Sequence, residues 1–304
     1  MAGIHIPVLL RETLELLAPC ADEVFLDGTT GAGGHAGEIA RRIGPGGLLV
    51  CADADPRMLD AARDRLRGLP QVRPVHADYA DLDRLREAAD GRAFDGMLLD
   101  LGISSVQLDD PDRGFSFRAD GPLDMRRDPG AGGPTAADIL RRAGERELAD
   151  VFHRFGEERF SRRIARAVAE ARKRHPVRRT GELADLVKGA IPRRAWPRNI
   201  HPATRVFQAL RIAVNRELES LSAFLDRFAE HLAPGGRVAV ISFHSLEDRM
   251  VKTAFRAGSS GEAPRLELLT RRPRRPGEAE VSLNPRAASA RLRAARRIGR
   301  KEGS

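Results

Sequence analysis

The stretch that most constrains this chain runs from Val24 to Gly37. A short apolar strand, Val24-Phe25-Leu26-Asp27, empties into Gly28-Thr29-Thr30-Gly31-Ala32-Gly33-Gly34 and then into the helix-compatible His35-Ala36-Gly37. Gly31, Gly33 and Ala36 fit the G-x-G-x-x-G/A spacing. In that pattern the missing side chains allow a tight turn, close approach of backbone to ligand, and close helix–strand packing. A nucleotide-like ligand is the natural occupant, although the spacing alone does not separate a binding loop from an ordinary turn.

The next strand adds to the argument. Leu48-Leu49-Val50-Cys51-Ala52-Asp53 is an apolar run that ends in an acid twenty positions after Gly33, as expected for a carboxylate on ribose hydroxyls. Val72 to Tyr79 and Phe94 to Asp100 read as third and fourth strands. Asp27, Asp53, Asp78 and Asp100 then all lie at the carboxyl ends of successive parallel strands, the edge where such sheets bind ligands. Four acids there repel the pyrophosphate of a dinucleotide and attract a cation. S-adenosylmethionine, with its ammonium, sulfonium and ribose hydroxyls, suits that edge, and a nicotinamide-dependent oxidoreductase does not.

A chain of 304 residues with 41% hydrophobic residues has ample material for a core and suits one large or two modest domains. Its formal net charge of +9 favours a polyanionic partner such as nucleic acid. Cys20 and Cys51 are too few for a disulfide framework and too scattered for a zinc site, so no metal is expected and a reducing cytoplasm fits. The first residues lack a basic region followed by an apolar core, and no run approaches membrane-spanning length; the expectation is a cytoplasmic protein with no membrane partner.

In chain order, His5-Ile6-Pro7 leads into a helix marked by Leu10, Leu14 and Leu17, with His5 a possible substrate contact. From Val24 to Leu101 strands alternate with amphipathic helices, the second carrying Pro56 in its first turn and Met58, Leu59, Ala62 and Leu66 on one side. This is a doubly wound parallel half-sheet, in which right-handed crossovers bring Gly31 to Gly34 and Asp53 to one crevice. A long polar stretch follows, from Asp100 to Arg126, at the same edge.

Several longer motifs in the chain are specific. They are His5-x-Pro7-Val8-Leu9, Gly31-x-Gly33-Gly34-His35, Asp100-Leu101-Gly102-x-Ser104-Ser105-x-Gln107-Leu108-Asp109, Arg113-Gly114-Phe115-Ser116-Phe117 and Gly121-Pro122-Leu123-Asp124-Met125. Gly156-Glu157-Glu158-Arg159-Phe160, His201-Pro202-Ala203-Thr204-Arg205 and Ser242-Phe243-His244-Ser245-Leu246-Glu247-Asp248-Arg249 extend them. End to end, the chain resembles the bacterial ribosomal RNA small subunit methyltransferase H family, S-adenosylmethionine-dependent enzymes that modify N4 of a cytosine in small-subunit (16S) ribosomal RNA. The resemblance implies a Rossmann-like class I methyltransferase α/β sheet with an inserted all-helical domain. It also implies a donor site of Gly33, Gly34, His35, Asp53, Tyr79, Asp100 and Gln107, with ribosomal RNA or the ribosomal subunit as partner. Tyr79 and Gln107 rest mainly on the resemblance. Two departures stand out: Ala36 where the family commonly has Ser, and a tail, Asn284 to Ser289, lacking a usual basic residue.

Residues 128–199 carry helical patterns only, at Ala136 to Leu140, Glu145 to Phe155, Ser161 to Lys173, and Gly181 to Ala190 with Thr180 as a cap. They read as an inserted RNA-recognition domain, flanked by 1–127 and 200–304 as the methyltransferase domain. Arg159, Arg162, Arg163, Arg166, Arg172, Lys173, Arg174, Arg178, Arg179, Arg193, Arg194 and Arg198 crowd its second half, with Phe160 and Trp196 for stacking. A long helix from Val206 to Leu232, a strand from Arg237 to Phe243, and a last pair at Arg265 to Leu269 and Ser289 to Ile298 complete the sheet, the final strand antiparallel. The basic stretch Arg271 to Gly277 is either a flexible loop or one that RNA orders.

The chemistry implied is methylation of an exocyclic amine whose lone pair is delocalised into the ring. Positioning supplies most of the acceleration, and acceptors on the amino hydrogens favour the nucleophilic geometry. Ser105, Asp124 and His244 are the candidates for orienting the base or taking its proton, with Asp124 equally able to pair with an arginine. A non-catalytic RNA-binding protein on the same scaffold is the alternative, opposed by the intact acidic edge. Oligomeric state stays open, a dimer included.

Overall fold

The structure is a computed structural model, and it describes residues 7–197 and 200–299; His5 and Arg198 lie outside the described residues. The chain begins with α1 (Leu10–Leu17), β1 (Val24–Asp27), α2 (Gly34–Ile43), β2 (Leu48–Asp53), α3 (Pro56–Arg65), β3 (Val72–His76), α4 (Leu82–Ala88) and β4 (Phe94–Asp100). Six helices follow: α5 (Ser105–Asp109), α6 (Ala136–Arg142), α7 (Glu145–Gly156), α8 (Ser161–Ala171), α9 (Thr180–Ala190) and α10 (Thr204–Asn215). The chain ends through α11 (Glu217–His231), β5 (Leu232–Ser242), α12 (Ser245–Gly258), β6 (Leu266–Leu268), α13 (Glu278–Leu283) and β7 (Arg291–Arg297).

The strands form a seven-stranded sheet in the order β3-β2-β1-β4-β5-β7-β6. The first five are mutually parallel, and β7 runs antiparallel to β5 and β6. Chain order reverses between β1 and β4, which makes that gap the switch point of a Rossmann-like α/β fold. Side chains alternate across the sheet with the strand period of two. Val24, Leu26, Met97, Leu99, Val238 and Val240 enter one core beneath α4, α11 and α12, while Phe25, Leu98, Ala239 and Ile241 enter the other with α1 and α2. Cys51 is fully buried within β2, and Cys20 is exposed ahead of β1.

The chain divides into two compact units, residues 1–102 with 219–304, and residues 103–218. The second is wider than the expected 128–199 insertion, for a packing reason. Phe115, Leu123 and Met125 from the polar stretch, and Val206, Phe207 and Leu210 from α10, share one core with Leu140, Phe152, Ile164 and Val187. Gly156 of α7 meets α10 so closely that an added Cβ would lie 2.5 Å from the Arg205 carbonyl oxygen.

Two local expectations are corrected. The single helix from Val206 to Leu232 is two helices, because Arg216 takes a left-handed φ of 51°. Asn215 beside it accepts the Arg127 N–H and donates to the Met125 carbonyl, tying the break to the preceding turn. Thr180 does not cap α9; it is the first helical residue, and its hydroxyl accepts the Gly121 N–H at 3.0 Å. Glu182 instead reaches back to the Arg178 and Arg179 N–H groups, at 2.8 and 3.1 Å.

Gly96 of β4 is required by the sheet's interior. A Cβ there would stand 2.0 Å from the Phe25 ring, which also lies under the Arg237 guanidinium. Gly96→Ala should destabilise the protein by about 1–3 kcal/mol through overpacking. Urea denaturation of the variant checks this, and an unchanged midpoint contradicts it.

Candidate functional site

At the carboxyl edge of the parallel strands stand the glycine turn after β1 and the acids ending β1, β2 and β4, with Asp78 and Tyr79 just past β3. Between β1 and α2 the backbone takes left-handed conformations at Gly31 (φ 53°) and Gly33 (φ 78°), where a side chain would be strained. Gly33 and Gly37 also lie against Leu66 of the helix after β2, so the glycine spacing serves packing as well as turning. Asp53 ends β2, and its two oxygens accept the N–H groups of Gly31 and Asp55, each at 2.8 Å. The acid expected on a ribose therefore also fixes the glycine loop. Tyr79, past the end of β3, is buried edge-on against Phe224, with ring centroids 5.9 Å apart. Asp78 accepts the Ser220 hydroxyl at 3.0 Å.

Asp27 and Asp100 flank the switch point. Thr29 bridges them: its N–H donates to the Asp27 carboxyl at 3.2 Å, and its hydroxyl accepts the Asp100 N–H. Asp27 is 1% exposed. Burial, reinforced by Asp53 and opposed by the Thr29 N–H, pushes its carboxyl up to about 7. Burial and the neighbouring Asp27 and Glu247 likewise push Asp100 well above the usual carboxylate range. A quarter of the Asp100 side chain still reaches solvent, yet its Oδ1 is buried and accepts no hydrogen bond among the described residues. A carboxyl group so placed is short of positive charge, and a cationic ligand supplies it. His35, buried in α2, donates from Nε2 to the Val8 carbonyl at 3.1 Å and places Nδ1 3.6 Å from Asp100 Oδ2.

His244 stands at the end of β5 in the same unit. It caps α12, its Nδ1 accepting the Glu247 N–H at 3.3 Å while its Nε2 lies 3.1 Å from Glu247 Oε1. The remaining expected residues belong to the helical unit. Gln107 is buried, and its side-chain oxygen accepts the Ser104 N–H at 2.9 Å while its own N–H donates to the Ser104 hydroxyl. Ser105 opens α5 immediately after that cap. Asp124 is gripped by Arg126 through Nε at 2.8 Å and Nη2 at 2.7 Å. Burial pulls its carboxyl upward, but the Arg126 hydrogen bonds outweigh it and the group stays below the usual range. Asp124 is thus an acceptor and a weak base.

A model of the MraW methylase family matches residues 2–298 of the chain. The chain belongs to the MraW methylase family. Proteins named ribosomal RNA small subunit methyltransferase H are close relatives. That of Anaeromyxobacter dehalogenans is 49% identical over 308 residues, covering 97% of this chain and 98% of its own. Those of Trichlorobacter lovleyi and Geobacter sulfurreducens are each 48% identical, over 97% and 98% of this chain and 98% and 100% of theirs.

In this MraW methylase the acids at strand ends were visible in sequence, whereas the connections between them were not. Thr29 carried no signal beyond its place in the turn, and the Asp53 contact to Gly31 needs the crossover to form. The Asp124–Arg126 pair was legible as a two-residue spacing of opposite charges.

The buried Asp27 gives a signed pH dependence. Its carboxyl titrates near 7 in the fold and near about 3.9 in an unfolded chain, so between those values the folded protein holds a proton that the unfolded chain has lost. Stability contributed by that proton is present below the lower value and is lost as pH rises through 7. Asp27→Asn cannot ionise. Its thermal midpoint should exceed that of the parent by more at pH 8 than at pH 5, and an equal offset at both values would sink the assignment.

Proposed function

We propose that this chain transfers a methyl group from S-adenosylmethionine to N4 of a specific cytidine in small-subunit ribosomal RNA. The carrying observation is the match of the MraW methylase model to residues 2–298, on a sheet whose switch point holds an acid with an unsatisfied buried oxygen, Asp100. S-adenosylmethionine supplies an electrophilic methyl on a sulfonium. Gly33, Gly34 and His35 hold the donor beside the turn, Asp53 takes its ribose hydroxyls, and Asp27 and Asp100 offset its positive charge. Tyr79 and Gln107 complete that site. Like charges buried without a partner cost several kcal/mol, so a cation relieves this edge and a pyrophosphate burdens it.

On the acceptor side the chain orients an amine and receives the proton released as nitrogen gains its methyl. Ser105, Asp124 and His244 are the residues assigned to this work. Asp124, held ionised by Arg126, suits an amino hydrogen as an acceptor more than as a base. His244 accepts the Glu247 N–H at Nδ1, so its neutral ring carries its proton on Nε2 and suits orienting the base more than taking its proton. A target cytosine reaches such a site only unpaired or flipped from its helix.

The helical unit supplies a surface for RNA. In α8, Ile164, Ala165, Val168 and Ala169 are buried, and Arg162, Arg163 and Arg166 are exposed. Among the described residues none of these three guanidiniums forms an ion pair, unlike Arg179, which holds Asp120. Elsewhere on the unit, Lys188 and Arg193 lie over the half-buried Trp196. Replacing Arg162, Arg163 and Arg166 with Ala should weaken RNA binding and flatten its salt dependence, each lost phosphate contact removing about 0.7–0.9 from the log–log slope. Donor affinity should persist. A triple variant with parental RNA affinity and slope shows these arginines to be solvated only.

Atom selectivity is tested through the cysteines. Methylation at cytosine C5 ordinarily needs a thiolate at C6. Cys51 is buried within β2, where burial first and Asp27 second push its thiol up, and Cys20 precedes the first strand. Incubation with labelled donor and ribosomal particles at different assembly stages, followed by nucleoside mass spectrometry, should yield N4-methylcytidine. The Cys20→Ser, Cys51→Ser double variant should do the same; 5-methylcytidine as product overturns the reading.

A further inference from the structure

The segment just before α1 touches both the glycine turn and the far end of the chain. Pro7 packs onto the start of α2 so closely that a Cβ on Gly34 would stand 2.5 Å from Pro7 Cγ. The next residue, Val8, gives its carbonyl to His35 Nε2 at 3.1 Å. Because a carbonyl only accepts, that contact places a proton on Nε2 and sets which ring nitrogen faces Asp100. Leu9 comes third. It is fully buried in a left-handed conformation with φ 54°, which is costly for a side chain of that shape. It also begins α1 without any side-chain cap of its own.

What holds Leu9 lies 271 positions away: its N–H donates to Glu280 Oε1 of α13 at 2.7 Å. Glu280 therefore satisfies a buried N–H at a strained residue, and that residue follows directly on the carbonyl that orients His35. Without the acceptor, the Leu9 N–H is stranded in a buried place at a cost comparable to a lost charged hydrogen bond. Relaxing φ at Leu9 rotates the peptide that carries the Val8 carbonyl, so the strain has a direct route to His35.

We propose that Glu280 is a positioning residue for the donor site, acting through Leu9 and Val8 to hold His35 and the start of α2 in register. This rests on the reading of the Gly33–His35 turn as the donor site. Glu280 needs to be an acceptor; it need not be charged.

Calorimetric titration with S-adenosylmethionine and with its demethylated product separates these roles. Glu280→Ala should raise the Kd for both by about ten-fold, in line with a buried N–H left without its acceptor. Its affinity for RNA should be unchanged. Glu280→Gln, which keeps the acceptor, should restore parental affinity. Glu15→Ala, which removes a half-exposed ion pair to Arg274 on the same segment, should leave donor affinity as it is. Should Glu280→Ala fail to fold, amide exchange on the parent protein carries the test: peptides covering 7–16 and 278–284 should gain protection together when the demethylated product is added. Equal affinity of Glu280→Ala and the parent, failure of Glu280→Gln to rescue, or product-induced protection in neither peptide overturns the proposal. A parent protein that binds no donor overturns instead the reading of the turn on which it rests.

Discussion

Like charges crowded at the ends of adjacent strands repel, and the turn between β1 and α2 is arranged around that repulsion. Asp27, Asp53 and Asp100 come from three neighbouring strands, and the backbone answers each differently. Asp53 receives the Gly31 and Asp55 N–H groups, Asp27 receives that of Thr29, and Asp100 Oδ1 stays buried with no donor among the described residues. The gradient from satisfied to unsatisfied runs toward the switch point, where a parallel sheet opens to its ligand. A fold that only needed stability would place an amide or an apolar group there, since replacing buried charge by neutral groups is often neutral or better. The edge is therefore strained in the way that sites for cations are.

Much of this was legible in the sequence because the relevant signals are local. Apolar runs ending in acids, glycines at fixed spacing and Pro56 in a first turn each report on a few consecutive residues, and α3 begins at Pro56 with Asp55 capping it. The helices of the inserted unit follow from apolar periodicity, as at α8, where the expected start at Ser161 is the observed one. What the sequence hid depends on partners far along the chain. The break at Arg216 rests on Asn215 binding Met125 and Arg127, and the width of the helical unit rests on Phe115 and Met125 sharing a core with Phe207. No window of consecutive residues contains both sides of such a contact.

The tail shows the same limit from another direction. Arg293 and Arg291 of β7 hold Asp248 of α12, with Arg293 Nε at 2.6 Å from Oδ1. Burial works against that carboxyl, yet the two guanidiniums keep it below its usual range. In sequence these arginines fall within the expected last strand and count toward the net charge of +9. In the fold they join the last strand to the helix after β5, so total charge overstates the cationic surface available to a polyanion.

The insertion of the helical unit between β4 and β5 also orders events in time. Residues 103–218 form a contiguous unit, whereas the sheet is split between 1–102 and 219–304. On a growing chain, β1 to β4 emerge first and leave the β4 edge without the partner that β5 later provides. The helical unit has all its own residues as soon as Leu218 has been added, before any of β5 or β7 exists. The younger part of the molecule by position in the chain is thus the part that closes the older one, and the unpaired β4 edge has to wait through more than a hundred residues of unrelated structure before it is covered.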